Sequence, residues 1–266
     1  MYSDCHLHTE FSGDSSTPVR EQIETAITRG MTELCITDHH DYDSDFSEID
    51  FTLDVENYLA ALLKYREEYR DRIRLLIGIE FGLQPHLLAY EQEFFARYDF
   101  DFVIGSTHYI DGTDPYYPQF FKGRTEDQAY SRYFEVLADN VRRFQCYDSA
   151  GHLDYVLRYG PTKNKNFSYS RYADYLDDAL KTLIARGKGL ECNTAGLRQG
   201  LGQPNPHLDI IRRYRELGGE IITIGSDAHI SRDIGSHFDE IGAWLTTCGF
   251  TYYAVYQNRK PVFHKL

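Results

Sequence analysis

Glu220-Ile221-Ile222-Thr223-Ile224-Gly225-Ser226-Asp227-Ala228-His229 reads in two halves. Residues 221–224 are a β-branched run, the pattern of a strand buried on both faces. A glycine and three polar groups, Ser226, Asp227 and His229, follow at once. The same arrangement recurs along the chain. Apolar runs over 2–7, 33–37, 73–79, 101–105, 146–151 and 189–192 lead into further polar clusters. In order, these are His6-Leu7-His8, Thr37-Asp38-His39-His40, Glu80, Gly105-Ser106-Thr107-His108, Gly151-His152 and Glu191-Cys192-Asn193.

Helical patterns lie between the runs. Thr17 and Pro18 read as the N-cap and first position of a helix ending near Gly30. Val55, Tyr58, Leu59, Leu62, Tyr65 and Tyr69 recur at helical spacing. Thr125 and Gln128 make a capping box for a helix running to about residue 145. Ser168 reads as the cap of another, with Tyr172, Leu176, Leu180, Leu183 and Ile184 inward and Gly187 as its stop. Helices over 206–217 and 234–246 complete the series. Strand alternating with helix implies a parallel sheet, and an unbroken run of such units predicts one α/β domain over 1–266, a barrel rather than an open sheet. In a parallel barrel the C-terminal strand ends meet on one face, where sites are built. Independent surface histidines would not select strand ends repeatedly.

Composition narrows the function. Hydrophobic residues at 42% and charged residues at 26% are the balance of an ordinary globule. A net charge of −13 with no basic patch disfavours nucleic acid and anionic membrane as partners. No apolar run approaches the ~18 residues of a membrane span. Residues 1–6 show no basic leader or apolar segment. Cys5, Cys35, Cys146, Cys192 and Cys248 form no C-x-x-C pair and read as free thiols filling the core, so a reducing, cytoplasmic setting is expected. Neither a G-x-x-x-x-G-K phosphate loop nor a cysteine or serine nucleophile motif is present.

Side chains alternate along a strand, so Asp4, His6 and His8 should share the face toward the barrel mouth, with Cys5 and Leu7 on the other. Imidazoles and carboxylates without thiolates suit Zn, Mn or Fe. The strand ends offer more ligands than one ion takes, which implies at least two ions and a bridging carboxylate. Glu80, at a strand terminus, is the best placed bridge. Arg158 and Arg198 lie on strand-end loops, where a guanidinium fork can grip phosphate oxygens.

The ordered set H-x-H, a downstream aspartate, T-D-H, G-x-E, S-x-H, G-H and G-S-D-A-H resembles the polymerase and histidinol phosphatase (PHP) family. The length and the segment Asn258-Arg259-Lys260-Pro261-Val262-Phe263 resemble its stand-alone histidinol-phosphate phosphatase branch. The resemblance covers essentially the whole chain. It implies a distorted (β/α)7 barrel with the active site at the C-terminal strand ends, and two to three divalent ions. It also implies hydrolysis of L-histidinol phosphate by attack of a metal-bridging hydroxide. By motif, His6, His8, Glu80 and Asp227 would hold the first ion. Glu80, His108 and His152 would hold the second, and Asp14, His39 and His229 the third. Arg158 and Arg198 would bind phosphate and steady its charge in the transition state, while His40 faces substrate. Asp227, His229 or His40 would protonate the leaving group. The substrate is then a small phosphate monoester. Alternatives are a PHP-type nuclease or nucleoside-bisphosphate phosphatase, a metal-binding accessory domain without catalysis, and a zinc amidohydrolase. His86, His207, His237 and His264 read as structural.

Overall fold

The protein is described from a computed structural model covering residues 2–44 and 49–266. Its centre is a curled parallel sheet. The strands are β1 (Glu33–Ile36), β2 (His39–His40), β3 (Arg74–Gly82), β4 (Phe102–Ser106), β5 (Ser149–Ala150), β6 (Gly189–Asn193) and β7 (Ile222–Gly225). They run in the order β1-β3-β4-β5-β6-β7, with β2 against β3. The apolar runs form these strands because both faces are covered: every residue of β1, β4, β6 and β7 is buried.

The first expected strand is the exception. Residues 4–8 form only isolated bridges, Asp4 with Leu34 and Leu7 with Ala228. Their backbone nevertheless connects to both edges of the sheet. Cys5 N donates to Ile224 O at 3.0 Å and His8 N to Ala228 O at 2.9 Å on one side. Cys35 N donates to Asp4 O at 2.9 Å and Thr37 N to Leu7 O at 3.0 Å on the other. Asp4 does not join a polar trio at the mouth, contrary to the alternation argument. Its buried carboxylate accepts from Ser226 N and Gly235 N, both at 2.9 Å, and so holds the loop after β7.

The helices are α1 (Val19–Thr28), α2 (Val55–Tyr69), α3 (Leu88–Arg97), α4 (Glu126–Arg143), α5 (Ala173–Ala185), the single turn α6 (Ala195–Arg198), α7 (Leu208–Glu216) and α8 (Phe238–Thr247). The Thr125–Gln128 capping box forms as its spacing predicts. Two other cap assignments are corrected. Thr17 leaves α1 uncapped and donates its hydroxyl to His229 O at 2.9 Å, a tertiary bond that outcompetes the local one. Ser168 starts a short turn before α5 and bonds Ser170 Oγ at 2.9 Å.

The C-terminal hairpin β8 (Tyr252–Gln257) and β9 (Lys260–Lys265) lies outside the alternation seen in the sequence. Its turn is pinned at the end of the sheet opposite the polar clusters. Arg259 N donates to Asp101 O at 2.9 Å, just before β4, and the Arg259 Nε donates to Asp148 Oδ2 at 2.5 Å, just before β5. All five cysteines are free thiols. Among the described residues, no helix is long and apolar enough to cross a membrane.

Candidate metal centre and active-site cleft

The strand-end groups converge on Glu80, the last polar position of β3, which is fully buried. Its Oε1 lies 2.9 Å from His152 Nε2 and 3.3 Å from His108 Nε2, and accepts from Ser106 Oγ at 2.6 Å. Its Oε2 lies 2.9 Å from His39 Nδ1, 3.2 Å from His6 Nε2 and 3.6 Å from His8 Nε2. Register explains the meeting, because β2 and β4 flank β3 with His39 opposite Glu80 and Glu80 opposite Ile104. Burial would drive the Glu80 carboxyl upward. The charges of His6, His39 and His108 outweigh it and hold the group well below the usual range, so it stays ionised.

Asp227 faces the same centre from the loop after β7. Its Oδ1 lies 3.3 Å from His8 Nε2, 3.7 Å from His229 Nδ1 and 3.8 Å from His6 Nε2. Asp14 Oδ2 lies 3.0 Å from His229 Nε2 and 3.8 Å from His39 Nε2 at the outer edge. Gly225 makes room for the first layer: a Cβ there would stand 2.4 Å from His6 Cβ and 2.6 Å from Glu191 Oε1.

Several histidines are held in one tautomer by partners that accept only. His6 Nδ1 donates to Glu191 Oε1 at 2.5 Å, His108 Nδ1 to Asp41 Oδ1 at 2.9 Å, and His229 Nδ1 to the Asp227 carbonyl at 3.1 Å. Ser12 Oγ spends its one proton on Asp38 Oδ1 at 2.6 Å, so at 3.1 Å it accepts from His8 Nδ1. Each ring therefore turns its Nε2 toward the carboxylates of the centre, the ring orientation seen around bound metals. His6 Nε2, His8 Nε2, His39 Nδ1 and Glu80 Oε2 are buried without a hydrogen-bond partner. Such unsatisfied polar atoms clustered together fit a cation, since they are costly to bury otherwise.

The possible ligand groups include His6/His8/Glu80, Glu80/His108/His152 and His8/His39/His229. All nine residues expected as ligands are thus gathered in one place. Glu191 and Asp41, which orient His6 and His108, escape a sequence reading as orienting groups. Their signal is faint: Glu191 is inside β6, and Asp41 stands two residues beyond His39, on the same side of the extended chain. Burial favours a neutral Asp41, but His108 and His39 beside it lower its pKa to about 2. His108 is correspondingly raised to about 10, Asp41 and Glu80 outweighing the burial that would lower it.

A cleft of about 450 Å3 opens over this centre, lined by Asp14, His39, His108, Arg158, Asp227 and His229 among others. Arg158 is buried in its wall. Its Nε donates to Asn205 Oδ1 and its Nη1 to Asp227 Oδ2, both at 2.9 Å, while Nη2 has no partner. Asn205 is in turn fixed by donating Nδ2 to Asp154 Oδ1 at 2.7 Å.

Two residues expected to meet the substrate have their polar atoms engaged by the protein itself. His40 follows His39 on β2 and so points the opposite way. Its Nδ1 accepts from Leu53 N at 3.1 Å and its Nε2 donates to Tyr90 Oη at 2.7 Å. Its ring stacks 4.6 Å from that of Phe94, and burial lowers its pKa to about 4. Both of its ring nitrogens are thus engaged, and it is not among the residues lining the cleft. Arg198 does not line the cleft. Its Nη1 donates to Ser236 Oγ at 2.5 Å, and its Nη2 donates to the carbonyls of Ser226 and Asp227 at 2.7 and 3.0 Å. It clasps the turn that carries Asp227, whose φ of 55° is left-handed.

The PHP domain profile matches residues 4–195. A histidinol-phosphatase of Lactococcus lactis is 31% identical over 258 residues, covering 97% of this chain and 95% of that protein. A crystal structure of histidinol phosphate phosphatase from the same organism, complexed with zinc, L-histidinol and phosphate, superposes with a TM-score of 0.87 at 30% identity, covering 98% of each chain. A structure from Listeria monocytogenes has a TM-score of 0.78 and covers 90% of this chain and 99% of its own, and at 22% identity it bears on the fold alone. The profile spans six of the seven strand-end clusters, and on that ground the chain belongs to the PHP domain family.

Proposed function

We propose that residues 1–266 work as one domain, a metal-dependent phosphomonoesterase that hydrolyses L-histidinol phosphate to L-histidinol and phosphate. The carrying observation is Glu80, with both carboxylate oxygens set among inward-facing imidazole nitrogens below a cleft that holds a half-free arginine. The zinc, histidinol and phosphate of the Lactococcus structure support the substrate. Residues 4–8, bonded to both sheet edges, serve as the seventh stave of a distorted (β/α)7 barrel. The free thiols suit a cytoplasmic setting.

His6, His8, Glu80 and Asp227 would hold one divalent ion, Glu80 with His108 and His152 a second, and Asp14 with His39 and His229 a third. The nitrogen and oxygen donors suit Zn, Mn or Fe, two to three ions in all. When bound, such ions neutralise phosphate oxygens and bring the pKa of water to near ~7. Arg158 would bring its unpartnered Nη2, buried in the cleft wall, to the phosphate, with Asn205 and Asp227 fixing the plane of the guanidinium. Asp227 or His229, both lining the cleft, would hand a proton to the leaving alkoxide. Arg198 positions Asp227 from behind.

Arg158→Ala should lower kcat/KM for histidinol phosphate by about 30–1000-fold, as expected for a charge-assisted contact that tightens as charge spreads over the phosphoryl group. Lys at this position should recover only part, because it cannot fork. Bound metal, measured by elemental analysis, should match wild type, since a guanidinium is no ligand. Unchanged turnover in Arg158→Ala would remove this arginine from the site. A nuclease would need a basic track along the cleft, and among the described residues Arg158 is the one arginine or lysine lining it.

A further inference from the structure

Among the described residues four carboxylates line the cleft: Asp14, Asp41, Asp114 and Asp227. Three face cationic partners within the protein. Asp14 faces His229 and His39, Asp41 faces His108 and His39, and Asp227 meets Arg158 and the histidines. Asp114 is different. Among the described residues it forms no ion pair; its Oδ1 accepts from Tyr116 N at 2.7 Å and its Oδ2 from Tyr155 Oη at 3.4 Å. It lies in the loop after β4, away from the Glu80 centre but connected to it by one ring. The Tyr155 ring lies 5.2 Å from those of both His108 and His152. On its other side it meets Tyr159 at 5.1 Å, which contacts Tyr116 at 5.4 Å.

Arg158, the proposed phosphate grip, stands 5.4 Å from the Tyr155 ring, so a phosphate held there has this aromatic wall beside it. We propose that Asp114, framed by Tyr155, Tyr159 and Tyr116, is the specificity-determining carboxylate that receives a cationic nitrogen of the substrate's alcohol portion. The inference rests on the phosphomonoesterase reading and deepens it. A partly buried carboxylate without a counter-charge is costly until a cation arrives, and the tyrosine faces favour the same kind of guest. Burial raises the Asp114 pKa to about 6 despite the nearby His108, as suits a group awaiting its partner. Histidinol offers two such nitrogens, an ammonium and an imidazolium.

The test uses the zinc-loaded protein and Asp114→Asn, which keeps an oxygen for Tyr116 N. L-Histidinol binding is measured by calorimetry, and kcat/KM is compared between histidinol phosphate and p-nitrophenyl phosphate, whose alcohol portion is uncharged. Histidinol affinity and the preference for histidinol phosphate should each fall by about 10–100-fold, the loss expected for a hydrogen bond between charged groups. Competition by 2-amino-1-propanol and by imidazolepropanol identifies which nitrogen Asp114 holds. A variant that slows both substrates alike, or binds histidinol as wild type does, overturns the proposal. Histidinol binding that depends on Asp114 in a protein unable to hydrolyse histidinol phosphate would uphold the proposal and overturn the proposed reaction instead.

Discussion

Glu80→Gln is expected to lower kcat by more than about 10³-fold. The substitution keeps the shape of the side chain and alters only its charge and acceptor capacity. Glu80 is ringed by His6, His8, His39, His108 and His152 on its two oxygens, so the amide must turn an N–H group toward imidazole nitrogens on one side. It also removes the one negative charge common to two of the ligand groups. Loss of that charge weakens both ions together, and nucleophile and phosphate clamp depend on the pair. The fold should persist, because Ser106 Oγ can still bond the Gln oxygen. Circular dichroism checks the fold, elemental analysis the metal, and phosphate release the rate. Near-wild-type turnover would make Glu80 a structural carboxylate and require another bridge.

Metal removal should have the second large effect. Chelation is expected to abolish phosphate release, and readdition of zinc or manganese to restore it. The reason is in the tautomers: His6, His8, His108 and His229 are fixed to present Nε2 inward, and without an ion those nitrogens meet only one another and the carboxylates. Activity should rise with added zinc and level off at two to three equivalents. Full activity with one equivalent or none would contradict a centre in which Glu80 bridges.

Much of this site is legible from local pattern alone, because all the candidate ligands but Asp14 sit at or just beyond a strand-like run and parallel strands bring those ends together. What remained hidden depends on distance in the chain. Glu191 lies 185 residues from the His6 it orients, and nothing in the spacing links them. Alternation allows only one of His39 and His40 to face the centre, and the choice is made by the register of β2 against β3. Arg198 resembles Arg158 in sequence position, yet the return of the 226–236 loop claims its donors. The first strand is bonded like one but too irregular to be assigned, since Asp4 spends its carboxylate on the backbone of Ser226 and Gly235.

The most direct measurement is phosphate release by the zinc-loaded wild-type protein from histidinol phosphate, nucleotides, sugar phosphates and a short oligonucleotide, each at two salt concentrations. The account predicts highest kcat/KM on histidinol phosphate with little dependence on salt, because one phosphate is gripped at one cleft. Strong oligonucleotide cleavage that falls steeply as salt rises, with histidinol phosphate left intact, would contradict it.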